Sequence, residues 1–358
     1  MRPTLLALLF AALCCAQTSP PGKLLQQAVE AQQRGDLASA VSDYQQALSL
    51  NPSLLAARID LAGALMQLGR LDEAGENYRL ALRQEHSNRH IITLLANCLI
   101  VNGRDSEAVR LLAPVEKSHP NDLDAAFLMG EALIHQGQLK EGLRRVEKVA
   151  QARNDVNAWM LAGLTQLQLG DGVQAVQSLD RALRLDPTTP GALTLSGVAK
   201  SLAGNATGAK AAFLKALAAD PNDFEANLRL GAILVKEGAL QEAEPRLNRA
   251  LSLDPSSLTA RYQMAQLEVA EGRREAAAAD LESIARAAPN ILEVHVQLAA
   301  LDYRLHRPED GEREKQIVDH LLASPKEQDH RLEGAVLISN PSPSGEHHEE
   351  GGQSPGVH

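Results

Sequence analysis

The sequence predicts an all-α fold, a solenoid of stacked helix-turn-helix units, and three observations predict it. Glycine recurs at Gly35, Gly69, Gly103, Gly137, Gly170, Gly204, Gly238 and Gly272, in steps of 34, 34, 34, 33, 34, 34 and 34 residues. Alanine stands five residues beyond most of them, at Ala40, Ala74, Ala108, Ala175, Ala209, Ala243 and Ala277. Proline closes most units, at Pro52, Pro120, Pro187, Pro221, Pro255 and Pro289. A fixed period of roughly 20–50 residues means one supersecondary unit repeated, each burying its apolar face against its neighbours.

Residues 1–16 precede the period. Arg2 is followed by Leu5-Leu6-Ala7-Leu8-Leu9-Phe10-Ala11-Ala12-Leu13 and then by Cys14-Cys15-Ala16. A positive start, a short apolar run and a small-residue end read as a secretory signal peptide cut after Ala16. The apolar run is well short of the ~20 residues a membrane-spanning helix needs. The expected location is periplasmic or secreted. The alternative is a lipoprotein signal, with a lipid anchor on Cys14 or Cys15, although the residue before each cysteine is not the Gly, Ala or Ser that bacterial lipoboxes usually carry. After cleavage only Cys98 remains, which rules out an intrachain disulfide framework. Its apolar helix suggests a buried small hydrophobe.

The array is expected over residues 17–323. Its repeats fall at about 21–54, 55–88, 89–122, 123–155, 156–189, 190–223, 224–257 and 258–291, with a degenerate ninth at 292–323. Residues 224–257 show the pattern. Phe224 to Glu237 is apolar-rich and stops at Gly238, a residue able to close a helix at positive φ. Leu240, Ala243, Leu247, Ala250 and Leu251 then mark one face of a second helix, which Asp254-Pro255 ends. A column of small residues runs through the first helices: Ala28, Ala62, Ala96, Gly130, Gly163, Gly197, Gly231, Ala265 and Ala299. Small side chains there allow close approach of two helices.

Some units depart from the pattern. The 123–155 unit has Gly142 where alanine is expected and lacks a closing proline, so it is read as the weak seam. Pro114 and Pro245 are expected to kink their helices or delay their starts. Thr189-Pro190 reads as an N-cap followed by a first-position proline. In the ninth unit His306 replaces the glycine, and residues 309–322 read as a closing helix. Residues 324–358 are rich in Pro, Gly and Ser and are expected to form a disordered polar tail. Within the tail, Ala335-Val336-Leu337-Ile338 is a lone apolar run that could fold back into the protein's own groove. The cluster His347-His348-Glu349-Glu350 reads as solvated rather than as a metal site.

With the repeats in view, the chain resembles the tetratricopeptide repeat family, whose pattern is W-x2-L-G-x2-Y, then A-x3-F, then P. Leu230-Gly231 matches the L-G pair, and Ala209, Phe213 and Pro221 match the second half. Ala40 with Tyr44 and Ala74 with Tyr78 are aromatic variants, and Trp159 fills the tryptophan position. The resemblance covers residues 21–322 and implies a right-handed superhelix whose first helices line a concave groove for peptides. Some members clamp a partner's C-terminal carboxylate with lysine and asparagine. Here the corresponding column reads Leu25, Ile59, Thr93, Phe127, Met160, Thr194, Leu228, Tyr262 and Val296, with no lysine, and Asn97 fits one asparagine position without its partners. A carboxylate clamp is therefore not expected.

The adjacent column reads Gln26, Asp60, Leu94, Leu128, Leu161, Leu195, Arg229, Gln263 and Gln297. It is polar at both ends and leucine in the middle. Leu94, Phe127, Leu128, Met160, Leu161, Leu164 and Leu195 are the candidate floor of a partner-binding groove, and Ile100, Ile134 and Leu167 are expected to extend it. The competing reading places these leucines in the core, although a sealed core would not accept Gln, Asp or Arg at the same column in other repeats.

No chemistry is legible. There is no H-E-x-x-H, phosphate-binding loop or G-x-S-x-G elbow. The array is expected to leave no room for the catalytic domain that some repeat proteins carry. The chain is expected to be non-catalytic, with no cofactor and no metal. The formal charge is −10, Lys and Arg form no stripe, and aromatics are 3%, so nucleic acid is not an expected partner. The expected function is an exported scaffold that binds a peptide or helix of a partner protein. The alternatives are a self-associating element of the cell envelope, a homo-oligomer, and more distantly an enzyme accessory subunit.

Overall fold

A computed structural model describes residues 20–329 and Leu332. The signal peptide, the lipid-anchor cysteines, the 335–338 run and the 347–350 cluster all lie outside the described residues. The described residues form eighteen α-helices and no strand. The first helices of the repeats are α1 (Pro20–Gln33), α3 (Leu55–Gln67), α5 (Arg89–Val101), α7 (Leu123–His135), α9 (Val156–Gln168), α11 (Ala192–Leu202), α13 (Phe224–Glu237), α15 (Leu258–Ala270) and α17 (Leu292–Arg304). The second helices are α2 (Leu37–Leu50), α4 (Leu71–Gln84), α6 (Asp105–Ser118), α8 (Leu139–Arg153), α10 (Gly172–Leu185), α12 (Ala206–Ala219), α14 (Leu240–Leu253), α16 (Arg274–Ala287) and α18 (Pro308–Ala323).

The chain forms two compact units, one of residues up to Thr165 with 181–187, the other of 166–180 and the residues from Thr188 on. In the first, α1/α2, α3/α4, α5/α6 and α7/α8 are helical hairpins, each second helix packs on the next first helix, and α5 touches α7 directly. In the second, α11/α12, α13/α14, α15/α16 and α17/α18 repeat the arrangement, with α13 against α15. The division falls one repeat beyond the expected seam.

All eight repeat glycines have positive φ, from 67 to 81°. His306 takes the same conformation at φ 60°, as its place in the repeat requires. The small column faces the second helix. A Cβ on Gly197 would lie 2.5 Å from the Phe213 ring, and one on Gly231 would lie 2.5 Å from Leu247. Gly142 belongs to such a contact: a Cβ there would stand 2.5 Å from the Gly130 carbonyl oxygen. This glycine permits a close helix crossing.

Two local expectations are corrected. Helices α6 and α14 start at Asp105 and Leu240 and continue past Pro114 and Pro245, so neither start is delayed. Both prolines and the residues four before them, Arg110 and Gln241, are exposed, so the carbonyls they strip of a donor can meet water. Helix α11 begins at Ala192, past Thr189-Pro190, because Gly191 is left-handed at φ 72° and breaks the helical path. The described chain also runs beyond the expected array end. Residues 325–327 form a 3-10 turn, the Asp329 N–H donates to the Asn290 carbonyl at 2.7 Å, and Leu332 packs on the last apolar cluster.

A further column ties four of the first helices, α3, α13, α15 and α17, to the preceding turn. Six residues after the closing proline, a side chain donates to that proline's carbonyl: Arg58 to Pro52 at 2.8 Å, Asn227 to Pro221 at 3.0 Å, Arg261 to Pro255 at 2.7 Å and His295 to Pro289 at 2.8 Å.

Candidate functional site

An α-helix turns about 100° per residue, so the small column fixes the orientation of each first helix. Taking the residue against the second helix as the reference, the position three before it lies roughly 60° round, the one after it roughly 100°, and the one two before it roughly 160°. In α7 these are Phe127, Glu131 and Leu128 around Gly130. In α9 they are Met160, Leu164 and Leu161 around Gly163. One continuous arc of each first helix is therefore turned away from its second helix.

The first unit brings Leu94, Phe127, Leu128, Met160, Leu161 and Leu164 onto this arc, and all six are half-buried. Leu94 and Leu128 rest on the edge of one apolar cluster, and Phe127, Met160 and Leu161 on the edge of another. Their helical neighbours are sealed, with Leu95 at 3%, Met129 at 3% and Ala162 at 0% exposure. Leu195 is also half-buried and belongs to the second unit.

The expected extension of the floor is corrected. Ile100, Ile134 and Leu167 are buried, at 5, 7 and 2% exposure. Each stands four residues beyond the small column, roughly 40° round, and so points back to the second helix. Ile134 lies against Gly142, where an added Cβ would meet its Cγ1 at 2.5 Å.

Polar groups stand among the leucines. Asp60 occupies the leucine column in α3, Asn97 is the α5 counterpart of Glu131, and all three side chains are half-buried. Burial pushes the Asp60 carboxyl up. Burial also pushes Glu131 up, against the pull of His135. The Tyr44 and Tyr78 hydroxyls are pushed up to about 12, first by burial, with the Asp60 charge contributing. Sequence reasoning placed Asp60 in the column but missed Glu131, whose signal was an acid within the apolar run that follows Asp124 in α7.

Elsewhere the side chains have structural roles. Cys98 is buried, its thiol lies 3.4 Å from the Leu71 carbonyl, and burial pushes its pKa up. The Trp159 indole donates to Asn154 at 3.3 Å, and the Arg181 guanidinium stacks 4.4 Å from its ring centre. In the second unit a cavity of about 300 Å³ opens beside Leu214 and Pro245. Lys210 on its rim is paired with Glu237 at 2.5 Å. Among the described residues no three His, Cys, Asp or Glu side chains come together to hold a metal ion, and no helix is long and apolar enough to cross a membrane.

Models of the tetratricopeptide repeat match residues 31–98, 201–267 and 234–301, and a second such model matches residues 141–190. The chain is a member of the tetratricopeptide repeat family. Over 183 residues, 48% of its length, it is 30% identical to cellulose synthase operon protein C of Pseudomonas fluorescens SBW25, of which the match covers 14%. Over 152 residues, 39% of its length, it is 30% identical to the Vi polysaccharide export protein VexE of Salmonella typhi, of which the match covers 23%. The chain thus spans less than a quarter of these relatives. Among solved structures it is similar to PilW, a type IV pilus biogenesis factor, with a TM-score of 0.52 at 20% identity, covering 57% of this chain and 96% of that one. The Cut9–Hcn1 tetramer of the APC/C aligns with a TM-score of 0.53 at 14% identity, covering 88% of this chain and 76% of that one. At these identities the structural likeness is one of fold, and the fold is that of a tetratricopeptide repeat scaffold.

Proposed function

We propose that this repeat protein is an exported, non-catalytic scaffold that binds a segment of a partner protein on the apolar arc of its first unit. The observation that carries the reading is the state of Leu94, Phe127, Leu128, Met160, Leu161 and Leu164. All six are half-buried while Leu95, Met129 and Ala162 beside them are sealed. Contiguous apolar surface left partly open favours an interaction site, and large side chains near the centre of such a site contribute most to binding. The 30% identity to a polysaccharide export protein and to a cellulose synthase operon protein supports an envelope setting, as do the signal-like residues 1–16.

The test is Leu128→Asp with Leu161→Asp. On an open arc the two carboxylates stay hydrated, so circular dichroism and melting remain near wild type while partner binding is lost. In a core, two unpaired carboxylates would each cost more than the ~2–7 kcal/mol of an unpaired neutral polar group, and the fold would fail. Loss of helicity in the double variant therefore refutes the site. Self-association through the same arc is the second reading. A dimer mass at dilute concentration that the double variant converts to a monomer would support it instead.

A further inference from the structure

Two carboxylates on the proposed groove lack a partner among the described residues. Asp60 stands in α3 at the position that Leu94, Leu128 and Leu161 hold in the next three repeats, and Glu131 lies one turn beyond Leu128 in α7. Both are half-buried, and neither has a hydrogen bond or ion pair to a described residue. The cations nearest by sequence are engaged elsewhere. Arg58 donates to the Pro52 carbonyl at 2.8 Å, Arg89 pairs with Asp122 at 3.2 Å, and His135 pairs with Asp105 at 2.9 Å. His90 is exposed, and α9 carries no charged side chain. Burial disfavours both charges, and partly drying a carboxylate without a partner carries a cost, smaller than that of full burial. A cation from outside the chain would remove that cost.

Asn97 lies between them, half-buried and also without a hydrogen bond to a described residue. An asparagine amide offers a donor and an acceptor together, which matches the free N–H and C=O of an extended backbone. A helical ligand has already used those groups. Neighbouring packed helices lie about 8–10 Å apart, so Asp60 and Glu131, two repeats apart, are separated by roughly 20 Å. An extended chain rises about 3.3 Å per residue and crosses that span in about five or six residues.

We propose that the groove takes an extended segment of a partner protein with two basic side chains about five residues apart and apolar side chains between them. One base meets Asp60 and the other Glu131. The apolar side chains rest on Leu94, Phe127 and Leu128, and the backbone pairs with Asn97. This rests on the groove reading above and names the chemistry of its occupant.

The test pans phage-displayed random dodecapeptides on the purified chain and measures the enriched peptides by fluorescence anisotropy. Paired Lys or Arg around an apolar centre is the expected enrichment. Asp60→Asn and Glu131→Gln are each expected to raise Kd about tenfold, equivalent to about 1.4 kcal/mol, without loss of helicity. Added salt is expected to weaken wild-type binding more than that of the double variant. If the enriched peptides lack basic pairs, or the charge variants leave Kd unchanged while Leu128→Asp abolishes binding, the groove stands and this inference falls. If nothing is enriched, or Leu128→Asp leaves binding intact, the groove reading falls and takes the inference with it.

Discussion

His295 is the titratable member of the column that clasps four first helices to their preceding turns, where the other three use Arg58, Asn227 and Arg261. It is buried at 3% exposure. Its Nδ1 lies 2.5 Å from a Glu314 carboxylate oxygen and its Nε2 2.8 Å from the Pro289 carbonyl. Neither partner, with Glu314 ionised, can donate, so only the imidazolium satisfies both contacts. Burial pulls its pKa down, but the bonds to Glu314 and Pro289 and the Glu314 charge outweigh it and hold the pKa above the ordinary 6.5. A raised folded pKa means that the proton stabilises the folded state. The contribution is complete below about pH 6.5 and is lost as pH rises through the folded value. Deprotonation forfeits one charge-assisted hydrogen bond, about 1.5–3 kcal/mol.

Repeat arrays open locally from their ends, so the readout is amide exchange in α17 and α18 at pH 6 and pH 8.5, corrected for the intrinsic rate. A loss of about 1.5–3 kcal/mol corresponds to roughly 10–150-fold less protection at the higher pH. Asp302 and Glu314 also face this region, and Asp302 is itself pushed up, mainly by burial. His295→Arg isolates the imidazole, because it copies Arg58 and Arg261 and does not titrate. Protection in wild type that does not change with pH, or a pH dependence that persists in His295→Arg, refutes the reasoning.

Two further outcomes follow from backbone and packing geometry. Gly197→Ala is expected to destabilise by about 1–3 kcal/mol, because its Cβ would lie 2.5 Å from the Phe213 ring. Gly63→Ala in α3 meets only the Tyr78 hydroxyl, at 3.7 Å, and is expected to stabilise by about 0.5–1 kcal/mol; urea titration of the pair checks the sign reversal. His306→Gly is expected to raise stability by up to about 1 kcal/mol by removing a side chain from φ 60°, and a lower melting temperature would contradict it.

Much of the fold was legible because the 34-residue period repeats the same physical demands. Each repeat glycine was identified from spacing alone and each adopts the left-handed conformation its turn requires. What the sequence hid was direction at single sites. Gly142 looked like a defect because the pattern asks for alanine, and only the approach of Gly130 shows why a Cβ is excluded. Thr189-Pro190 carried a plausible start signal, but the conformation of Gly191 moved the start downstream. The proline clasp was invisible because Arg, Asn and His share no pattern, only a position six residues past a proline.

The candidate site was half legible for a related reason. Column reading found the leucines but also admitted Ile100, Ile134 and Leu167, since apolar residues three or four apart look alike in a pattern. Rotation about the helix separates them. Positions roughly 40° from the small column point into the hairpin, whereas those roughly 60–160° round are turned away from it. Packing constrains the first set, as Ile134 shows against Gly142, where an added Cβ would meet its Cγ1 at 2.5 Å. Within the second set, Thr194, Val198 and Leu228 are sealed, and the position at roughly 160° is the one free to change. The column at roughly 160° holds Asp60, three leucines of the first unit and then Leu195, Arg229, Gln263 and Gln297, none of them buried, on the same helix–turn–helix frame. Chemistry on that arc can therefore vary from repeat to repeat without cost to the fold. This is why charge-neutral changes at Asp60 and Glu131 are expected to alter what the protein binds and not whether it folds.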